Sequence, residues 1–335
     1  MPIVALTSVV VFTPWGIVKA WLAPMPGSVQ EQVDDAVDHG LDGIIVYVDQ
    51  AGSAPAFYAA GWKNRENRVP ADPHALFKIA SISKLYIAAA TARLVNARLL
   101  KLDDTLSDHL PALDGRIENA DRITVRMMLQ HRSGIPNLTD DPDFSWFEPP
   151  AKISDYLEPV LDDPADFEPG ARFSYSNTNY LLIGEILDKI LGFNHQRYID
   201  REMVAPLGLA ETYGSLGEAD FEQMASGYHH PYDADLRELD YKSPGGSMVA
   251  TAQDVGIFLR ALNDGSLLND DEQAVYSSVY QYEHTGWVPG YYSIARYHRD
   301  IDSVVIQFVS TTGGDTVTIS KIVYDRIVRI LSRQE

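Results

Sequence analysis

The 335-residue chain contains no cysteine. Disulfides, thiolate metal sites and cysteine nucleophiles are therefore excluded, leaving serine, threonine, lysine or a carboxylate for any covalent chemistry. Basic residues are also scarce: 27 Lys and Arg stand against 47 Asp and Glu, a formal net charge of -20. Such a chain repels nucleic-acid phosphates and anionic membrane surfaces, so no nucleic-acid partner is expected, and an acidic substrate would need a local basic pocket. Long apolar runs are missing as well. Residues Ile3 to Leu22 come nearest, but Pro14, Gly16 and Lys19 interrupt them and no basic residue precedes them. A membrane helix wants about 20 uninterrupted apolar residues. Residues 1–27 thus read either as a degraded export signal or anchor, or as a packed N-terminal segment. The first reading implies a periplasmic or secreted protein whose membrane contact, if any, runs through that segment. No internal repeat or low-complexity tract is visible.

What is present suits a globular protein: 45% hydrophobic and 22% charged residues, enough chain for one large domain or two smaller ones. Ser28 is placed to cap a helix running to Asp38 and ended by Gly40. Gly43–Asp49 is a β-branched run that predicts a strand, with Ala56–Trp62 as its hairpin partner. From Ser81 the sequence SISKLYIAAATARLVNARLL is rich in Ala and Leu and free of Gly and Pro, which predicts a helix. From about Leu100 to Gly265 the chain reads as helical and loop-rich, with helical patterns at Thr124–Leu129, Tyr180–Leu191 and Thr251–Leu262. Tyr291–Tyr297 and Ser303–Ser310 alternate as strands, and Thr316–Leu331 is an amphipathic closing helix. The fold class expected is α+β: one antiparallel sheet built from both ends of the chain, flanked by helices, with a mostly helical lobe at about 100–265 inserted. A cleft between the lobes is where a site belongs.

Three short motifs carry chemistry. Ser81-Ile82-Ser83-Lys84 opens the predicted helix, and its i, i+3 spacing puts Ser81 and Lys84 on one face. A serine hydroxyl needs a neighbouring base, and a lysine can be one where burial or positive neighbours disfavour its charged form. A helix N-terminus adds free N–H groups for an oxyanion. Tyr175-Ser176-Asn177 can place a phenol and an amide on the same side of a loop. His284-Thr285-Gly286 precedes the C-terminal strands, where a glycine lets a substrate approach the backbone. Standing alone, each reads more simply as an N-cap with a surface lysine, a turn before a helix, and a turn before a strand.

Together, and in this order, they resemble the serine β-lactamase and penicillin-binding-protein superfamily, in the class C-like branch with D-Ala-D-Ala carboxypeptidases, D-aminopeptidases and esterases. HRSGIP at His131–Pro136, FSYSNTNYLLIGEIL at Phe173–Leu187, GGSMVATAQDV at Gly245–Val255 and HTGWVPGYYS at His284–Ser293 carry the likeness, over about Val33 to Leu331. The resemblance implies a hydrolase domain over 28–335. It implies an acyl-enzyme on Ser81, with Lys84 and Tyr175 as a proton-transfer pair of which either can be the base. Asn177 would hold the acyl group, His284 would support Tyr175, and Thr285 would contact substrate. The N–H groups of Ser81 and Trp287, beside Gly286, would form the oxyanion hole. No metal or cofactor is implied. The substrate implied is a small ester, peptide or β-lactam.

Two departures shape the expectation. The third motif begins with histidine where most β-lactamases of the branch carry lysine, which favours esters or D-amino-acid-containing amides over antibiotics. Only about fifteen residues separate Leu268 from His284, with no Arg or Lys between Arg260 and His284; the resemblance would want an arginine there for a terminal carboxylate. The sheet is therefore expected to be one strand short or rebuilt from Val275–Tyr282. A sensor that acylates slowly and a weak class C-like β-lactamase are the alternatives. His131 is expected to support a loop, Gly245–Gly246 to allow tight packing, and Tyr291 and Tyr292 to alternate between core and solvent. His229, His230, Asp233 and Asp235 read as a polar loop and not a metal site.

Overall fold

The computed structural model describes residues 14–232 and 234–333. Of the N-terminal apolar run, only its C-terminal part falls within them: helix α1 (Trp15–Leu22) buries Ala20 and packs Ile17 beside the C-terminal helix. Helix α2 (Val29–Asp38) begins in a capping box, in which Ser28 accepts from the Glu31 N–H while the Glu31 carboxylate takes the Ser28 N–H. That reciprocal bond fixes the start of the helix at the predicted residue.

Strands β1 (Gly43–Gln50) and β2 (Ala56–Asn64) form the first hairpin. The principal sheet orders β3-β2-β1-β10-β9-β8, with β3 at Val69–Pro70, β8 at His284–Val288, β9 at Tyr291–His298 and β10 at Ser303–Val309. Every pairing in it is antiparallel, and β1 joins the N-terminal hairpin to the C-terminal meander with Ile44 opposite Val309 and Val48 opposite Val305. The fold is therefore α+β with a sheet drawn from both ends of the chain. GIIVYV in β1 is apolar without alternation because both faces are covered. Ile44, Val46 and Val48 pack on α2 and the closing helix α7 (Thr316–Leu331), while Ile45 and Tyr47 face the second, larger core.

In that larger core lies α3 (Ser83–Asn96), buried over most of its circumference, with α4 (Asn177–Leu191), α5 (Ala252–Asp264) and α6 (Asp270–Val279) around it. A helix covered on every side has no need of an amphipathic stripe, and the run IAAATA keeps it slim enough for close neighbours. A small sheet, β4 (Phe77–Lys78), β7 (Val249–Ala250) and β5 (Thr212–Tyr213), carries the chain into α3. A parallel pair, β6 (Tyr228–His229) and β11 (Thr311–Thr312), ties the middle of the chain to its end.

Two expectations fail. Val275–Tyr282 does not rebuild a strand: α6 occupies most of it, started by a capping box between Asn269 and Glu272. The β-branched and aromatic residues there pack on α3 as helix residues, with Tyr276 fully buried. Nor do Tyr291 and Tyr292 alternate between core and solvent. Both are buried, Tyr291 in the larger core and Tyr292 under α7, because each face of β9 is covered. Among the described residues no helix is long and apolar enough to cross a membrane.

Candidate active site

Ser81 does not open the α-helix directly. The chain leaves β4, passes Ala80 at a φ of 47°, and makes a 3-10 turn over Ala80–Ile82 before α3 begins at Ser83. A positive φ on alanine is strained. The turn is held by Ser83, whose hydroxyl donates to the Ala80 carbonyl at 2.6 Å and accepts from the Met248 N–H at 3.3 Å. The half-buried Ser81 is thus presented on a kinked entry to a buried helix.

Lys84, one turn on, is 1% exposed. Its Nζ donates to Ser81 Oγ at 3.0 Å, Asn177 Oδ1 at 3.0 Å and the Gly245 carbonyl at 2.8 Å. Gly245 must be glycine for this contact, since a Cβ there would lie 3.1 Å from Nζ and 2.9 Å from Tyr180 Cβ. Gly246 has no such neighbour, the nearest atom being 4.0 Å away.

Tyr175 completes the group: its hydroxyl donates to Ser81 Oγ at 2.9 Å, and Lys84 Nζ lies 5.2 Å from the centre of its ring. Helix α4 begins at Asn177, three residues before the predicted Tyr180, so the asparagine sits on its first turn. A neighbour absent from the sequence reading holds it there. Asn137 Oδ1 accepts the Asn177 N–H at 2.9 Å, and Asn177 Nδ2 makes long bonds to Asn137 Oδ1 at 3.3 Å and Thr139 Oγ1 at 3.2 Å. The only signal for Asn137 and Thr139 is their place just after HRSGIP; nothing in that spacing tells which side chain they meet.

The third motif lies on β8, the sheet edge beside the Ser81 turn. A Cβ at Gly286 would meet the Ile79 carbonyl oxygen at 2.2 Å and Ser293 Oγ at 2.3 Å. The glycine is what lets the strand lie against the turn. Val288 pairs with Tyr291 around a two-residue reversal, and Trp287 with Tyr292. In such a hairpin the closing pair exchanges hydrogen bonds, so the next pair turns its N–H groups outward. The Trp287 N–H is thereby directed away from β9, on the open side of the sheet edge.

His284 is buried, and its Nδ1 bonds the Thr285 carbonyl at 2.5 Å, which sets the proton on Nδ1. Burial and then the charge of Lys84 push its pKa down to about 4. Its ring centre is 6.4 Å from that of Tyr175, and among the described residues no hydrogen bond joins them. Thr285 is half-buried on the same strand.

Ser81 opens on a small apolar pocket of about 40 Å³ walled by Leu138, Phe144, Trp146, Tyr156, Tyr241 and Trp287. Trp146 meets Trp287 edge-on at 5.2 Å, and the Tyr241 hydroxyl donates to the Trp146 carbonyl at 2.8 Å. A second cavity of about 320 Å³ is bounded by Tyr175, His131, Tyr280, Gln281 and His284. A wider groove of about 740 Å³, around Arg197 and Gly208, touches none of the motif residues. Among the described residues no group of side chains is placed to hold a metal ion. His229 bonds Thr312 Oγ1 at 2.8 Å and Asp235 pairs with Arg237 at 2.7 Å, while Asp233 lies outside the described residues.

A sheet drawn from both chain ends, with a serine, lysine and tyrosine converging at the mouth of a helical block, defines the class of the serine β-lactamase and penicillin-binding hydrolases. The chain belongs to the Beta-lactamase family, whose family model matches residues 29–281. It is 26% identical over 221 residues to Protein flp of Staphylococcus aureus, covering 64% of this chain and 42% of that protein. The chain thus spans less than half the length of this curated relative. In fold it is similar to the D-amino acid amidase of Ochrobactrum anthropi SV3, at a TM-score of 0.82 and 22% identity over 95% of this chain and 99% of that one. It is likewise similar to a penicillin binding protein from Bacillus halodurans, at a TM-score of 0.75 and 23% identity over 90% and 98% of the two chains.

Proposed function

We propose that the protein hydrolyses small esters or amides with apolar acyl groups, D-amino-acid amides among them, through an acyl-enzyme on Ser81. The observation that carries this is the double hydrogen bond on Ser81 Oγ, from Lys84 Nζ at 3.0 Å and Tyr175 Oη at 2.9 Å, at the lip of an aromatic pocket. Ser81 Oγ attacks the carbonyl carbon as its proton passes to the Lys84–Tyr175 pair. The oxyanion is met by the N–H groups of Ser81 and Trp287. Collapse of the tetrahedral adduct expels the alcohol or amine, which takes that proton. Water then attacks the acyl-serine, giving up a proton to the pair, which passes it to Ser81 Oγ as the acid is released.

The three acceptors around Lys84 match the three protons of an ammonium group. A neutral amine fits as well, since the Ser81 hydroxyl can donate to its lone pair while its two N–H groups keep Asn177 Oδ1 and the Gly245 carbonyl. Either member of the pair can therefore take the proton from Ser81. Asn177 Nδ2, held only by bonds of 3.2 and 3.3 Å, is the donor an acyl carbonyl can most easily recruit. The apolar lining supports an apolar acyl side chain, of which a pocket of about 40 Å³ takes only a small part, and the fold shared with a D-amino acid amidase supports amide substrates.

The test follows hydrolysis of p-nitrophenyl phenylacetate and D-phenylalanine amide, with intact-protein mass after exposure to a fluorescent penicillin, wild type beside Ser81→Ala. Turnover should fall by about a thousandfold or more in the variant. Undiminished turnover would sink the reading. A Ser81-dependent penicillin adduct that persists without turnover would favour the slow-acylating sensor instead.

A further inference from the structure

His131 lies outside all three motifs, yet it holds Tyr175 from three directions. Its backbone carbonyl accepts the Ser174 N–H at 2.8 Å and its Nδ1 accepts the Ser176 N–H at 3.2 Å, so both residues flanking Tyr175 are tied to one histidine. Its ring then stacks on the Tyr175 ring, 4.4 Å between centres and 28° between planes. Tyr175 is 36% exposed, so burial alone does not hold its ring. His131 itself is 3% exposed, with Tyr180 5.3 Å away on another side. It adopts a φ of 54°, a left-handed conformation costly for a residue with a Cβ.

We infer that His131 is a positioning residue for the hydrolytic reaction, clamping the Tyr175 hydroxyl at its hydrogen-bond distance from Ser81 by ring stacking and by the two flanking backbone bonds. The inference rests on the serine-hydrolase reading of the site. The Ser176 N–H occupies the Nδ1 lone pair, so a neutral ring carries its proton on Nε2, for which the described residues offer no partner. Burial, the charge of Lys84 and the neighbouring His284 push the pKa of His131 down to about 3. The stacked partner of Tyr175 is therefore uncharged across the neutral range, and the clamp does not loosen as a histidine of ordinary pKa would between pH 7 and 5.

A displacement of about 1 Å in a reacting group costs on the order of a hundredfold in rate. The experiment compares His131→Asn, His131→Phe and His131→Ala with wild type and Ser81→Ala on p-nitrophenyl phenylacetate. It records kcat, KM, the pH dependence of kcat and the thermal midpoint. His131→Ala should lower kcat about a hundredfold with KM within about threefold, because the lost element is proton transfer and not binding. His131→Phe keeps a ring against Tyr175 and should recover at least about tenfold of that loss. His131→Asn keeps an acceptor without a ring and should fall between. If the alanine variant does not fold, the asparagine variant carries the prediction, with a loss of at least about tenfold in kcat. Wild-type kcat and an unchanged pH profile in any folded alanine or asparagine variant would overturn the inference, as would a phenylalanine variant no better than alanine. Absence of Ser81-dependent turnover in the wild type is a different result: it removes the hydrolase reading itself.

Discussion

At the scale of single residues, the site depends as much on missing side chains as on present ones. Lys84 can reach the Gly245 carbonyl, and β8 can lie against the Ser81 turn, because positions 245 and 286 carry no Cβ. Gly286→Ala would place a methyl 2.2 Å from the Ile79 carbonyl oxygen and 2.3 Å from Ser293 Oγ, and the Ile79 backbone cannot yield as a side chain can. The strand must move, carrying the Trp287 N–H away from Ser81. We expect a loss of about 1–3 kcal/mol in stability together with at least about tenfold in kcat. Gly246→Ala, with open space around it, should change stability by less than about 0.5 kcal/mol. Urea unfolding of the two variants checks the contrast, and equal effects would show that the close approach at Gly286 is not the cause.

At the scale of elements, the apolar pocket beside Ser81 is assembled from pieces far apart in sequence: the 138–156 loops, Tyr241 and edge strand β8. Trp146 and Trp287 meet there edge to face, so both indoles bound the space an acyl side chain would enter. At about 40 Å³ the slot is smaller than a phenyl ring. Trp146→Ala should therefore raise the preference for phenylacetyl over acetyl p-nitrophenyl esters by about tenfold in kcat/KM, since removal of the indole opens the room a ring needs. An unchanged ratio would place the acyl group elsewhere. The α6 segment teaches a related lesson about elements. The short stretch before His284 suggested a strand rebuilt from Val275–Tyr282, but Asn269 and Glu272 form a capping box that marks a helix start. The local cap and the packing of Tyr276 on α3 outweigh β-propensity, which is itself mostly a matter of context.

For the whole molecule, the telling feature is that two neutral imidazoles are buried beside a buried lysine. His284 and His131 have pKa values pushed down to about 4 and about 3 from the ordinary 6.5, chiefly by burial. The unfolded chain binds those protons near pH 6.5 while the folded chain refuses them until much lower pH. Between those limits the unfolded state holds more protons, so stability must fall as pH falls from about 6.5 toward 4 and below. Each histidine contributes on the order of 3 kcal/mol by the bottom of its window. In His131→Phe the dependence of the urea midpoint on pH between 6.5 and 4 should be visibly flatter than in wild type. An identical slope would mean that other groups govern the acid limb.

The sequence by itself determined a good deal. The main strands and helices were legible through strong local signals: the Ser28 cap, the β-branched run of β1, the Ala-rich α3 and the amphipathic α7. So were the three motifs whose residues the structure brings together around Ser81. These were legible because each rests on neighbours within a few residues, or on a pattern that is kept intact along the chain. Only the tertiary structure decided that Ser81 sits on a kinked turn, that Asn137 and Thr139 hold Asn177, and that His131 stacks on Tyr175. It alone decided that Trp146 and Trp287 wall one pocket, and that β9 is covered on both faces. Contacts between residues 40 or 140 positions apart leave no trace in local spacing. They follow from how the covered faces of sheet and helices close on one another, which only the folded chain establishes.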